Sequence, residues 1–275
     1  MQTNQTPKWL DLFITAFGTQ GLIALAWWAG AFHAQRIREL QATYPILQIT
    51  GGAGVGKSTL VANLWLLSGS CAQDENLHVD SCSMGALLAI LARAVNRPVV
   101  LEEIGYGAEQ FDWSMLRECY DGSVRPMRVS RTNETVNTFT FQGALAFVGG
   151  YDEVLNPRIV NIHLPLKRRT AEGRDAIEAM HALQITDLAH FIQAVRANRE
   201  QVIYRLGHVP AYAESLRKET APGLNHDSAR NHAQLRALLD LLADLFPIPA
   251  DVMHHAHTEV CGMAWVHADS KGAQA

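Results

Sequence analysis

The sequence predicts an α/β fold of three layers, in which helices cover both faces of a parallel β-sheet, followed by a small all-helical domain. The first observation is a glycine-rich segment, residues 51–59, between a short apolar strand and an apolar helix. The second is that strand-length and helix-length apolar segments alternate as far as residue 164, which is typical of a parallel sheet. The third is that only helical patterns follow from Arg174 onward.

The composition limits the classes of protein to consider. A chain of 275 residues can bury one large core or two small ones, and a formal net charge of −4 means that any contact with nucleic acid must be local. The cysteines lie far apart without a C-x-x-C pair, which favours a reducing cytoplasm over a disulfide framework. We expect a helical segment at residues 1–44, a sheet-containing core at 45–170, a helical domain at 171–267 and a mobile polar tail at 268–275.

An apolar segment at residues 12–32 is long enough to cross a bilayer if it were uniformly apolar. Thr19 and Gln20 divide it, so its uninterrupted part is residues 21–32, and so short a run is more often a buried helix. Asp11 precedes the segment and Arg36 follows it, without the layout of a signal peptide. We therefore expect a helix packed on the core and no membrane partner, with a membrane span as the alternative.

Residues 51–59, GGAGVGKST, match the spacing G-x-x-x-x-G-K-[ST] of a phosphate-binding loop. A predicted strand at 45–50 precedes them and a predicted helix at 60–67 follows, so an incidental glycine-rich turn is the weaker interpretation. Glycines let backbone N–H groups turn toward phosphate oxygens, and the helix N-terminus adds the positive end of its dipole. Lys57 supplies a charge for the β- and γ-phosphates, and the Ser58 hydroxyl is the expected Mg²⁺ ligand. The expected ATP-binding residues are Gly51, Gly52, Ala53, Gly54, Val55, Gly56, Lys57, Ser58 and Thr59.

A pair of acids follows a second apolar strand. Residues 68–80 resemble a polar connection, and residues 84–95 have the pattern of an amphipathic helix. The predicted strand 99–101 follows, with Glu102 and Glu103 at its carboxyl end. In P-loop ATPases such acids beside the phosphate loop hold Mg²⁺ and orient the attacking water. We assign Glu102 to the metal and Glu103 to the water, although the usual pair is Asp-Glu and a surface acid is the alternative.

An arginine-bearing hairpin is predicted after a helical segment at residues 112–120. Two alternating stretches, residues 123–130 and 135–141, are joined by a polar tip. The hairpin carries Arg125, Arg128 and Arg131. From the hairpin alone, a solvated edge is the favoured interpretation.

Two further strands, residues 143–150 and 158–164, complete the predicted sheet. Arg158 opens the last strand, a position that suits an arginine reaching the γ-phosphate of a neighbouring subunit. A structural ion pair is nearly as good an explanation. The short basic run 167–169 is better explained as a solvated loop than as a nucleic-acid site.

The rest of the chain is helical in pattern. We expect helices at residues 174–183, 185–198, 210–218 and 228–245. Near the end, His254, His255, His257 and Cys261 raise the possibility of zinc, but a closed zinc site needs four well-placed ligands, and we do not predict one.

Taken together, these motifs resemble the ATPase domain of phage and mobile-element primase-helicases. The resemblance rests on the phosphate loop, VVLEE, FDWSMLRECYDGSVRP, the hairpin and LNPRIVNIHL, and it continues into RNHAQLRALLDLLADL near the end. Those proteins usually carry a primase region upstream, so the chain looks like the motor portion alone, with a separate primase as a candidate partner.

The resemblance implies an additional-strand P-loop NTPase fold of the AAA+ or superfamily-three kind, a homo-oligomeric ring around single-stranded DNA, and ATP hydrolysis that drives movement. It makes the hairpin a candidate DNA contact and Arg158 a candidate arginine finger. One departure concerns the polar sensor residue that such ATPases usually place after the strand GALAFV, because Gly149-Gly150 stands there. Asp152 and Asn156 are the candidates for its replacement. A replication-helicase ATPase is therefore the expected function, and a nucleotide-regulated loader or switch is the alternative.

Overall fold

The computed structural model describes residues 6–71, 75–78, 83–102, 113–128, 136–149, 155–166, 170–220 and 224–272, with the backbone alone for 124–128, 136–139 and 267–272. Its helices and strands are α1 Lys8–Ala31, α2 Ala34–Gln41, β1 Ile46–Thr50, α3 Lys57–Leu67, β2 Asn76–His78, α4 Met84–Arg93, β3 Val95–Glu102, a 3-10 turn Trp113–Leu116, α5 Glu118–Asp121, β4 Val124–Arg128, β5 Val136–Thr140, β6 Gln142–Val148, β7 Ile159–His163, α6 Ala171–His181, α7 Ile185–Ala197, α8 Arg199–Leu206, α9 Val209–Glu219, α10 His226–Leu245 and α11 Ala250–Gly272.

The central sheet has the predicted parallel arrangement. Among the described residues, five strands lie in the order β2-β3-β6-β1-β7, and each neighbouring pair is parallel. Strand β6 therefore lies between β1, which precedes the glycine-rich loop, and β3, which ends in Glu102. The antiparallel pair β4-β5 forms the predicted hairpin. The α/β fold with an additional strand is confirmed.

Helices cover both faces of this sheet, because alternate strand residues pack into two separate cores. Leu47 and Ile49 of β1 point into a core that includes Leu60 of α3. Ile46 points to the other face, into a core that includes Trp113. Residues that alternate along a strand point to opposite faces, so the sheet is the middle of three layers.

Helix α1 is a core element, as predicted. It kinks at Gly18, whose φ of 52° and ψ of −147° are not helical. From Gln20 to its end the helix is buried. The indole N–H groups of Trp27 and Trp28 donate to the Pro45 carbonyl at 2.8 Å and the Ser68 hydroxyl at 2.7 Å. In the described part of the chain, α1 is the one helix long and apolar enough to cross a membrane, and 67% of its most apolar window is buried in the fold.

Arg38 of α2 links the start of β6 to α5, the short helix before the hairpin. Its guanidinium is buried and donates to the carbonyls of Tyr120, Gly143 and Cys119, at 3.2, 2.7 and 2.6 Å. Burial lowers the pKa of Arg38 to about 10, so it stays charged at neutral pH. One cation thus ties α2 to α5 and to β6, where removal of the guanidinium would leave buried carbonyls unpaired.

Several elements differ from the predictions. Strand β3 begins at Val95 and includes Pro98, at a register irregularity where a proline is tolerated. No individual helix was predicted for α2, α8 or α11, although α2, α8 and most of α11 lie in segments expected to be helical, and β2 lies in the predicted polar connection. The predicted helix at 112–120 is a 3-10 turn followed by the short α5.

The helical end shares one core with the sheet. Leu235 and Leu238 of α10 belong to the same apolar cluster as Leu47 and Leu60. Helix α11 continues to Gly272, inside the segment for which the sequence predicts a mobile tail. The domain boundaries at 44, 170 and 267 stay predictions.

Candidate functional site

The glycine-rich loop connects β1 to α3 in a backbone conformation that needs glycine. Gly51 has a φ of 143°, and a Cβ there would lie 2.6 Å from the Leu164 carbonyl oxygen. Gly56, with a φ of 101°, is the residue immediately before α3. Because L-residues rarely adopt such angles, substitution at either position strains the loop.

Lys57 and Ser58 lie in the first turn of α3. The Lys57 ammonium donates to the carbonyls of Gly51 and Gly52, at 2.9 and 3.1 Å, so it folds back over the loop. Ser58 is exposed at the helix N-terminus, and Val55 is buried and anchors the loop to the core. Free N–H groups at this helix end, with a lysine beside them, form a site that attracts anions.

Glu102 ends β3 on the same face of the sheet as α3. It lies opposite Val148 of β6, and Val100, two residues earlier, packs in the core on the α3 side. The Glu102 Oε1 atom is buried, and no described group forms a hydrogen bond with it. An unpartnered buried carboxylate oxygen on the Ser58 side of the sheet fits a divalent cation better than it fits a structural role. Glu103 lies outside the described residues.

Arg158 lies at the amino ends of the strands, whereas the loop lies at their carboxyl ends. It precedes Ile159, which pairs with Ile46 at the start of β1, whereas the loop follows Thr50 at the end of that strand. Four strand residues span about 13 Å, so Arg158 is far from the phosphate loop of its own chain. Its guanidinium lies 5.9 Å from the centre of the Tyr120 ring.

The hairpin arginines are described only through the backbone. Arg125 pairs with Phe139, and Arg128 pairs with Val136 at the last described pair before the tip. Arg131 lies outside the described residues. The predicted hairpin is confirmed as a backbone structure, and its contact with DNA stays a prediction.

His257 and Cys261, the C-terminal residues considered for zinc, have separate partners. His257 Nε2 lies 3.0 Å from Asp240 Oδ1, and Cys261 Sγ donates to Glu219 at 3.2 Å. Burial and the hydrogen bond to Glu219 raise the pKa of the Cys261 thiol to about 11, which disfavours a metal-binding thiolate. Among the described residues, no group of three or more potential ligands is assembled.

Asp240 is held ionised by its neighbours. Burial alone would raise the pKa of its carboxyl group, but hydrogen bonds from His257 and Tyr212 outweigh burial and lower it. Asp240 therefore contributes to the stability of the packing between α9, α10 and α11.

Comparison with known proteins identifies the fold. No protein-family model and no curated protein matches the chain. A solved active helicase, SCCmec type IV Cch, is similar with a TM-score of 0.66 at 13% identity, over 95% of this chain and 53% of that one. This chain has the fold of that helicase, and it spans about half of its length.

Two JCV helicase structures are more distantly similar. One has a TM-score of 0.38 at 19% identity, over 93% of this chain and 70% of that chain. The other has a TM-score of 0.35 at 21% identity, over 66% of this chain and 58% of that chain.

Sequence reasoning missed a group of polar side chains on β1 and β7, on the sheet face that Ile46 shares and away from α3. The Thr50 hydroxyl donates to Asn161 Oδ1 at 2.8 Å and lies 3.2 Å from His163 Nδ1. Gln48 donates to the Gly149 carbonyl at 2.9 Å. The available signal was polar residues at alternate positions of the apolar strands ILQIT and IVNIH, all on one face.

Proposed function

We propose that this chain is the Mg²⁺-dependent ATPase motor of a DNA replication helicase, acting in the cytoplasm on single-stranded DNA as a homo-oligomeric ring. The strand arrangement carries the proposal. Because β1, β6 and β3 are parallel neighbours, the glycine-rich loop after β1 and Glu102 at the end of β3 lie at the same end of the strands. The likeness of the fold to the Cch helicase supports it.

The loop is assigned to the triphosphate. N–H groups of residues 51–59 and the N-terminus of α3 would bind phosphate oxygens, and Lys57 would leave its loop carbonyls to contact the β- and γ-phosphates. The Ser58 hydroxyl and the unpartnered Glu102 Oε1 are the groups that would hold Mg²⁺. When bound, the metal neutralises charge on the phosphates.

Two residues are assigned to hydrolysis. Glu103 would orient the attacking water, because it follows the metal ligand at the end of β3. Arg158 would act across a subunit boundary. Its position at the amino ends of the strands, away from its own loop, supports action in trans. The half-buried guanidinium over Tyr120 also has a packing role in the single chain.

The hairpin is assigned to DNA. In a chain with net charge −4, Arg125, Arg128 and Arg131 concentrate positive charge on one element. Such a hairpin suits phosphate contacts in a ring channel, where few contacts per subunit add up through assembly. A separate primase is the expected partner.

A second candidate is a nucleotide-regulated switch or loader that does not unwind DNA. It is favoured by Gly149, which follows β6 and offers only backbone where the resemblance to primase-helicases implies a polar sensor residue. Slow hydrolysis is the expected consequence.

The test combines an ATPase assay, with and without single-stranded DNA, and a strand-displacement assay. DNA-stimulated hydrolysis with unwinding supports the motor, and stimulation alone supports the switch. Lys57→Ala should lose nucleotide binding, whereas Lys218→Ala, at an exposed site on α9, should behave as wild type. No binding of ATP by the wild-type chain would refute both candidates.

A further inference from the structure

The Tyr120 side chain lies where α5, α10 and the start of β7 meet. It is 5% exposed, and its hydroxyl donates to Asn231 Oδ1 of α10 at 2.8 Å. Arg230 Nη2 donates to the same hydroxyl at 3.4 Å. The hydroxyl therefore both donates and accepts a hydrogen bond, which holds the ring in one position.

Asn231 connects this hydroxyl to the backbone in front of Arg158. Its side chain is fully buried, and its Nδ2 group donates to the Pro157 carbonyl at 3.1 Å. The Arg158 guanidinium lies 5.9 Å from the centre of the Tyr120 ring. Tyr120 is thus linked to Arg158 in two ways, directly at the guanidinium and through Asn231 at the preceding peptide group.

The backbones of Tyr120 and Arg158 are both tied to the start of β1. The Tyr120 carbonyl accepts hydrogen bonds from the Tyr44 N–H at 2.9 Å and from Arg38 Nε at 3.2 Å. The Arg158 carbonyl accepts one from the Ile46 N–H at 3.0 Å. Neither backbone can shift relative to the other without moving the sheet, so the ring and the guanidinium are held at a constant separation.

An aromatic ring holds an arginine in a different way from a carboxylate. An ion pair with a carboxylate occupies N–H donors of the guanidinium, whereas contact with a ring leaves those donors for another acceptor. The Tyr120 ring can therefore restrain the Arg158 side chain while its N–H groups stay available to a phosphate. This arrangement suits an arginine that must be ordered before its ligand arrives.

We propose that Tyr120 and Asn231 are positioning residues for Arg158, which they hold in place for the γ-phosphate of the neighbouring subunit. The proposal rests on the proposed function, because it takes Arg158 to act across a subunit boundary. A displacement of about 1 Å can slow a reaction by about 100-fold. A ring that holds the guanidinium beforehand limits such displacement and reduces the entropy lost when the long side chain is ordered.

Steady-state kinetics separates positioning from packing. Tyr120→Leu removes the ring, and we expect kcat to fall on the order of 100-fold with an unchanged KM for ATP, because Arg158 acts on the transition state. Tyr120→Phe keeps the ring and loses the hydroxyl, so its kcat should fall by only roughly fivefold. Phe246→Leu is the matched control, since it also removes a buried ring, roughly 22 Å from Asn231 along α10. It should keep the kcat of the wild type per folded chain.

A mixing experiment identifies the side of the subunit interface on which Tyr120 acts. Slow Tyr120→Leu protein mixed with inactive Glu103→Gln protein should gain ATPase activity, because the Glu103→Gln subunits supply an intact Arg158 with its ring. Mixed with Arg158→Ala protein it should stay slow, because no interface then has a correctly held arginine. Tyr120→Phe, which keeps the core filled, is used in the same mixtures where Tyr120→Leu does not fold.

The opposite pattern would overturn the proposal. Recovery with Arg158→Ala and none with Glu103→Gln would locate the defect at the phosphate loop of the same subunit. A wild-type kcat in folded Tyr120→Leu, or an equal loss in Phe246→Leu, would also refute a positioning role. The mixture of Arg158→Ala with Glu103→Gln tests the proposed function separately. No recovery there would refute action of Arg158 in trans and the role of Tyr120 with it, whereas recovery there alone would refute only the role of Tyr120.

Discussion

Glu102→Gln should stabilise the ligand-free chain and weaken its response to Mg²⁺ and nucleotide. The Glu102 Oε1 atom is buried without a partner among the described residues. Leaving a buried polar group unsatisfied costs about 1–3 kcal/mol, more for a charge. Because Glu102 as a whole is only partly buried, we expect the neutral amide to recover about 1 kcal/mol.

Urea denaturation measures both effects. With a slope of roughly 3 kcal/mol per molar urea for a chain of this size, the midpoint without ligand should rise by about 0.3 M. A Mg²⁺-nucleotide complex at about 100 times its dissociation constant stabilises the wild-type chain by about 2.7 kcal/mol. A tenfold decrease of affinity in Glu102→Gln would reduce that stabilisation to about 1.4 kcal/mol.

Glu39→Gln is the matched control. Glu39 is exposed and pairs with Arg36 at 2.8 Å, so its replacement should change the free energy of unfolding by less than about 0.5 kcal/mol. A Glu102→Gln chain that is less stable than wild type without ligand would refute the interpretation of Oε1 as an unpaired metal ligand. Equal stabilisation of both chains by the Mg²⁺-nucleotide complex would do the same.

The other predictions concern hydrolysis, assembly, DNA and pH. Glu103→Gln should keep its affinity for ATP and slow phosphate release by on the order of 100-fold, because Glu103 acts on the transition state. Phosphate release at the wild-type rate would show that Glu103 does not act on the transition state. Inactive Arg158→Ala mixed with inactive Glu103→Gln should regain partial ATPase activity through mixed interfaces; no recovery in mixed oligomers verified by native mass spectrometry would contradict action in trans. The double variant Arg128→Ala/Arg131→Ala should weaken single-stranded DNA binding similarly for all sequences, and the magnitude of its salt slope should fall by about 0.7 for each DNA phosphate that the variant no longer neutralises. A salt slope equal to that of the wild type would show that the hairpin is an exposed edge that does not contact DNA. The folded-state pKa of Asp240 is below its ordinary value of 3.8, so the stability it contributes is present above that pH and disappears as pH falls below it. Asp240→Asn should therefore flatten acid denaturation at pH values below about 4, and an unchanged curve would show that its ionisation is not linked to folding.

The sheet was predictable because its signals are local and strong. The glycine loop has a fixed spacing, and residues 99–101 and 143–148 are apolar runs of strand length. The order of the strands, by contrast, could be expected only through the resemblance to helicases. Nothing within one strand specifies its neighbour, and β6 enters between β1 and β3 through long-range packing.

The missed elements have weak local signals. Helix α11 buries Ala256, Val260 and Ala264, small residues four apart among polar ones, which gives little apolar periodicity. Asn198 is both the C-cap of α7 and the N-cap of α8, so a single residue separates the two helices and the sequence has little to mark the break. The Thr50–Asn161 contact was also hidden, because it joins residues 111 positions apart.

The kinked helix α1 has a consequence for the synthesis of the chain. Its apolar surface packs against α6, α10 and α11, and Thr6 before it hydrogen-bonds to the carbonyl of Pro247. Helix α1 therefore leaves the ribosome before the helices that cover it. At about 5–20 residues per second, synthesis of the intervening 200 or so residues takes roughly 10–40 s. During that time the tryptophan-rich segment is without its native cover, so we expect nascent chains to depend on chaperones that bind apolar helices, and chains truncated before residue 226 to aggregate.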